Sequence, residues 1–504
     1  MLPQMPQAGG SEHVETVGDN GPRLDDIEGV ELLRTALVDA GYTPDAVRES
    51  LATEVAAGRD SAELPLYLHM LAGGGALATA IKLFLLDIEV SAEEAEEALP
   101  GLVDRLCGMG VVERNGDGVK ALVEIVPTES FLITCDAFQK ELARPDHVLG
   151  VSPPARVLAW LTVREPVERA LDLGTGNGYH ALFAARHADH VTALDINPRA
   201  LRFAEFNALL NGADIDLREG NLFEPVAGET FDLIVSNPPY VVSPENEITY
   251  RDAGLPGDSF SELIVRQVPE HLAPGGFAQI LISWLHPWDG EWTLPVREWV
   301  HGSGCDTILI RYAVHTPLDY AAAWNRPYRG NPAKYGAGIE RWMEYFDRLG
   351  VEAISWGAIT IRRRIGNNWF FPYTSTTERI TGASEQVLRI AAAQDFLADA
   401  GHDELLDSVM TVAPEHRIDQ TIRLQDGGEL IERNILRLER GLFFEVSIDA
   451  FAERVLALLD GERTLREVLV EAAAGFEAPL TEFVDNSIPV MRRLIELGFA
   501  IPSR

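Results

Sequence analysis

Cysteine, long apolar runs and positive charge are all scarce in this chain. Its 504 residues include only three cysteines. Cys107, Cys135 and Cys305 are far apart and in no ligand spacing. That spacing argues against a disulfide framework and a structural zinc, so no metal is expected and a reducing cytoplasm is the expected compartment. No run of 18 or more apolar residues occurs, so neither a membrane-spanning helix nor a membrane partner is expected. The stretch from Met1 to Gly21 is polar and acidic. It lacks the basic and apolar regions of a signal peptide, and residues 1–22 are expected to be disordered.

Basic residues are outnumbered: 42 Lys and Arg face 78 Asp and Glu, for a net charge of −36. Residues 1–146 carry a net −17, residues 367–504 a net −11, and the middle only −8. Such flanks repel phosphate backbones, whose neutralisation supplies most nucleic-acid affinity. Neither flank reads as a nucleic-acid reader. With 46% hydrophobic and 24% charged residues, the composition is that of a globular protein long enough for two to four domains.

The N-terminal part, residues 23–146, reads as helices followed by a hairpin. Thr43-Pro44 and Ser91 with Glu94 start helices, and Asn115-Gly116-Asp117-Gly118 forms the hairpin tip. This is a winged-helix-like pattern. Residues 367–504 repeat the logic, with helices at 448–459, 464–474 and 480–497 before a short apolar strand. Between them, residues 147–366 alternate strand and helix, as in a doubly wound, mostly parallel α/β sheet of seven strands. An aromatic insertion spans 317–350, and 366–384 reads as a linker.

Two motifs carry chemistry. Asp172-Leu173-Gly174-Thr175-Gly176-Asn177-Gly178 joins a strand to a helix, where glycines let the backbone approach a ligand. It is not Gly-x-Gly-x-x-Gly, and no Gly-Lys-Ser/Thr follows, which weakens dinucleotide and P-loop readings. Asp195, at the next strand end, can accept both hydroxyls of a ribose. Asn221 and Leu222, after the third strand, stand where an adenine would lie. The second motif is Asn237-Pro238-Pro239-Tyr240. Its Asn237 side-chain oxygen and Pro238 carbonyl are two acceptors able to grip an –NH2 group, while Tyr240 can lie flat against the plane that carries it.

Together these residues resemble the class I S-adenosylmethionine-dependent methyltransferases of the small-domain, HemK-like family, over about Val148–Arg364. The family includes protein-glutamine methyltransferases and ribosomal RNA guanine-N2 methyltransferases. The resemblance implies S-adenosylmethionine as cofactor. Asp172, Gly174, Thr175, Gly176, Gly178, Asp195, Ile196, Asn221, Leu222 and Asn237 would lie around it, and Asn237, Pro238 and Tyr240 would act on the acceptor nitrogen. Asn221 departs from the family, which often has an acid there.

The loop that follows, with Tyr250 and Arg251, would overhang the pocket, so these residues join Pro239 and His286 as candidate substrate contacts. His180 reads as a helix-surface residue. The aromatic insertion reads as a packing element, with stacking on a base as an alternative. The acidic flanks favour a protein glutamine or peptide amide as acceptor. A base amine in RNA, a small-molecule amine and a non-catalytic cofactor-sensing role remain as alternatives.

Overall fold

The computed structural model describes residues 21–52, 63–129, 131–137, 144–245, 249–252, 254–375, 377, 380–425, 428–474 and 480–503. The expected disorder of residues 1–22 lies, but for the last two positions, outside the described residues. The chain divides into two compact units. One comprises Met1–Gly150, Gly176–Leu182 and Asn197–Leu217, and the other Val151–Thr175, Phe183–Ile196 and Arg218–Arg504.

In the first unit, local signals start the helices where the sequence places them. Thr43 accepts from the Ala46 N–H ahead of helix Pro44–Leu51. Ser91 and Glu94 form a capping box for Ala92–Ala98. The hairpin pairs Val112–Asn115 with Gly118–Ala121 through the predicted turn, and Val90–Ser91 adds a third strand. A second hairpin pairs Glu124–Thr128 with Phe131–Cys135. Helix Pro198–Asn211, capped by Asn197 and ended by the left-handed Gly212, belongs to this unit. Its Phe203, Phe206 and Leu210 join Val30, Leu33 and Leu37 in one core.

The second unit is built on a sheet whose strands we number in chain order. These are β1 (Val167–Leu173), β2 (Ala188–Asp195), β3 (Asp216–Glu219), β4 (Phe231–Ser236), β5 (Leu272–His286), β6 (Cys305–His315), β7 (Ala353–Arg363) and β8 (Phe370–Thr374). The spatial order is β8-β6-β7-β5-β4-β1-β2-β3. Pairs β1–β2, β1–β4 and β4–β5 are parallel, while β7 runs antiparallel to β5 and β6. The sheet therefore has eight strands rather than the expected seven. The eighth lies in the stretch read as a linker, where Phe371 and Tyr373 are buried. Pro372, which lacks an N–H, is tolerated because β8 is an edge strand. The core under the sheet gathers Leu171, Ile234, Ile264, Ile280, Trp284 and Ile359 among others.

Towards the C-terminus of this unit, helices Ala450–Leu458, Leu465–Ala473 and Leu480–Glu496 fall close to their predicted spans. Strands His416–Gln425, Gly428–Leu438 and Glu445–Ile448 form a three-stranded antiparallel sheet that helical patterning gave no sign of.

Candidate active site

The parallel registers fix the site. Leu173, the last residue of β1, pairs with Leu194 of β2 on one side and Ser236 of β4 on the other. Gly174, Asp195 and Asn237 thus leave three adjacent strands at the same level. This is the C-terminal edge of the sheet, where open α/β folds bind ligands. The Ser236 hydroxyl donates to the Leu173 carbonyl at 2.8 Å, tying the two central strand ends together.

The glycine turn is held from within. Asp172 is buried and accepts from the Thr175 hydroxyl at 2.6 Å. The N–H groups of Gly174 and Thr175 donate to the Leu194 carbonyl at 2.9 and 2.8 Å. Gly174 and Gly176 have φ of +73° and +58°, which favours glycine. A side chain built at either would meet nothing within 4 Å, so open space adjoins the backbone there. Gly178, at φ +84°, is different: an added Cβ would lie 3.2 Å from Ala204. That glycine serves close packing against helix Pro198–Asn211.

Beyond β2, Ile196 stands half exposed, an apolar surface beside the carboxylate of Asp195. The Gly220 N–H donates to the Asp195 carbonyl at 3.0 Å. Leu222 adopts a left-handed φ of +48°, and Asn221 is half-buried. The donor set suits a nucleoside: a carboxylate, a carboxamide, apolar surface and open backbone meet at successive strand ends. Among the described residues, no cluster of three or more His, Cys, Asp or Glu could hold a metal, and no helix is long and apolar enough to cross a membrane.

On the acceptor side, Asn237, Pro239 and Tyr240 are half-buried and Pro238 is buried. The Tyr240 hydroxyl is pushed above its ordinary pKa by burial and by the neighbouring Tyr320. The helices of the aromatic insertion, Pro317–Trp324 and Pro332–Leu349, begin at Thr316 and Asn331 caps and hold the loop that follows the motif. The Val242 N–H donates to the Tyr320 hydroxyl at 3.2 Å, and the Gly257 N–H to the Tyr345 hydroxyl at 2.7 Å. Val242 packs with Tyr320, Trp342 and Phe346.

Two candidate substrate contacts are engaged within the protein. Arg251 is buried and donates to Asp252 at 2.8 and 3.0 Å and to Glu245 at 2.6 Å. Glu245 also accepts from Arg341 and from the Trp342 indole at 3.3 Å. Burial alone would raise the Glu245 pKa, but these donors and the Arg251 charge hold it below the ordinary value. Arg251 therefore fixes the loop instead of offering a free cation. His286 is buried as well, with its ring nitrogens 2.8 Å from the Pro287 carbonyl and 2.8 Å from the Ser355 hydroxyl. Tyr250 is half-buried. His180 is not on the surface as expected: it is 7% exposed, and burial depresses its pKa to about 3. Nothing in the spacing of helix Tyr179–Ala184 distinguished a buried imidazole from an exposed one.

Residues 154–284 match the model of the methyltransferase small domain family, and residues 39–122 match that of a domain of unknown function. The chain is 37% identical over 137 residues to a release factor glutamine methyltransferase of Geobacter sulfurreducens, covering 23% of this chain and 48% of that protein. It is 40% identical over 124 residues to a ribosomal protein uL3 glutamine methyltransferase of Bradyrhizobium diazoefficiens, covering 22% and 39%. A release factor glutamine methyltransferase of Xylella fastidiosa is 37% identical over 149 residues, covering 27% and 52%. The chain thus spans about half the length of these relatives. The strand ends bearing Gly174, Asp195 and Asn237 all fall inside the stretch that is similar to the methyltransferase small domain.

Proposed function

We propose that this protein is an S-adenosylmethionine-dependent N-methyltransferase acting on a planar amide nitrogen, a glutamine of a protein or a peptide amide. The observation that carries the reading is the register Leu173–Ser236. It brings the glycine turn and Asn237-Pro238 out of the sheet side by side. A cofactor held by one is then within reach of an acceptor held by the other.

The residues fit the cofactor. The open backbone at Gly174 and Gly176 would receive its methionine part, Asp195 its ribose hydroxyls, and Ile196, Asn221 and Leu222 its adenine. Bound there, S-adenosylmethionine supplies an electrophilic methyl group. An amide nitrogen is a poor nucleophile because its lone pair is delocalised. The Asn237 carboxamide oxygen and the Pro238 carbonyl accept its two hydrogens and draw the nitrogen toward a tetrahedral geometry. Both oxygens face the positive charge that develops on nitrogen during transfer, which is electrostatic stabilisation. Tyr240 and Pro239 flank the acceptor plane, and correct placement supplies much of the remaining rate. No strong general base is needed for this step.

The net charge of −36 favours a protein acceptor over a nucleic acid, as does the likeness to proteins named glutamine methyltransferases. The test is labelled cofactor incubated with the protein and cell lysate, treated with nuclease or protease. Incorporation abolished by protease and resistant to nuclease is expected. Label removed by nuclease alone would assign the acceptor to RNA or DNA.

A further inference from the structure

Helix Pro198–Asn211 and strand Phe131–Cys135 meet through side chains in an unusual way. One edge of the strand pairs with Glu124–Thr128. The other edge is read by two carboxamides of the helix. Asn207 accepts from the Thr134 N–H at 2.7 Å and donates to the Thr134 carbonyl at 2.9 Å. One helical turn on, Asn211 accepts from the Leu132 N–H at 3.0 Å and donates to the Leu132 carbonyl at 2.9 Å. The spacing matches: two strand residues advance about 6.7 Å and four helix residues about 6 Å. The asparagines thus complete a ladder that a third strand would otherwise provide.

The two clamps differ in one respect. Asn207, fully buried, uses its second amide hydrogen to donate to the main-chain carbonyl of Asn177 at 2.8 Å. That carbonyl sits between Gly176 and Gly178 of the glycine turn. Asn211 directs its second hydrogen to the Asn207 carbonyl at 2.8 Å and does not reach the turn. The Asn177 side chain in turn donates to the Leu149 carbonyl at 2.9 Å. The turn is therefore bound to Thr134 through the shared Asn207 carboxamide and to Leu149 through the Asn177 side chain.

We propose that Asn207 is a positioning residue for the cofactor turn, and that the N-terminal region serves through it to pre-order that turn for binding. The inference rests on the cofactor reading above. In the ordered turn, the backbone of residues 176–178 is fixed before a ligand arrives, so binding does not bear the cost of ordering it. Removing the Asn207 carboxamide takes the side-chain donor from the Asn177 carbonyl and loosens the turn at that point. Removing that of Asn211 weakens the same strand contact but leaves the turn fixed.

The test is cofactor affinity by titration calorimetry for the full chain and for Asn207→Ala and Asn211→Ala, well below each variant's melting temperature. Asn207→Ala should raise the Kd about tenfold, while Asn211→Ala stays within about twofold, although both lower the melting temperature. Equal Kd values in the two variants overturn the proposal and leave the cofactor reading intact. Absence of binding by the unaltered chain contradicts the cofactor reading itself. Should Asn207→Ala not fold, hydrogen exchange of residues 131–135 in the unaltered chain decides. Linkage requires cofactor to slow it, and unchanged exchange on saturation overturns the proposal.

Discussion

The two sides of the candidate site are held by different physics. Around the glycine turn the contacts are directional and polar: Thr175 on Asp172, and Asn207 on Asn177. Around the acceptor loop they are mostly aromatic packing, with Tyr320, Trp342 and Phe346 against Val242 and a charge cluster centred on Glu245. Under the proposed function, directional bonds suit a backbone whose few carbonyls and N–H groups would face a small, constant ligand. Broad apolar packing suits a loop that would present a surface to a larger and more varied one. The contrast makes a separable forecast. Changes on the turn side should alter cofactor affinity, and changes on the loop side should alter turnover.

The largest effect is expected from Asn237→Ala. It should lower turnover by about 10²–10³ with little change in cofactor Kd, measured by steady-state kinetics and calorimetry. Equal losses in both would erase the distinction between the two sides. Next, Arg251→Ala removes the buried cation that Asp252 shares with Glu245, leaving Glu245 only its ion pair with the more exposed Arg341. Stability should fall by about 3 kcal/mol in denaturant titration, and turnover should drop through a disordered loop.

A smaller effect concerns pH. His180 is neutral in the fold, with a pKa lowered by burial from 6.5 to about 3. The unfolded chain takes up that proton first as pH falls. Its contribution to stability is complete above pH 6.5 and is lost progressively down to about 3, at roughly 1.4 kcal/mol per pH unit. His180→Leu should flatten the acid limb of the stability profile, as read by melting temperature against pH. An unchanged limb would mean that the imidazole is hydrated. The mildest change is Tyr320→Phe, which leaves the Val242 N–H without its acceptor. A loss of about 1 kcal/mol is expected, with a few-fold fall in turnover and no change in cofactor Kd.

Much of the candidate site's local geometry was legible because its residues are constrained locally. Gly174 and Gly176 need left-handed backbone, prolines follow Asn237, and each motif closes a strand with an apolar run. The surroundings were not legible for equally physical reasons. Asn207 and Asn211 lie four residues apart on a helix, where carboxamides normally face water; only the free edge of a strand some seventy residues earlier makes them interior groups. Arg251 looked available because its acceptors Glu245 and Asp252 lie in the same loop, and loops do not announce how they fold. The eighth strand, Phe370–Thr374, carries a proline, and that demotes any central-strand reading while leaving an edge strand permitted.

The acceptor is the central claim, and the most direct measurement is mass spectrometry of lysate proteins after incubation with this protein and isotopically labelled S-adenosylmethionine. The account predicts a single labelled methyl on the side-chain nitrogen of a glutamine or on a peptide amide. Label found only on nucleobases, with none on protein, would contradict it.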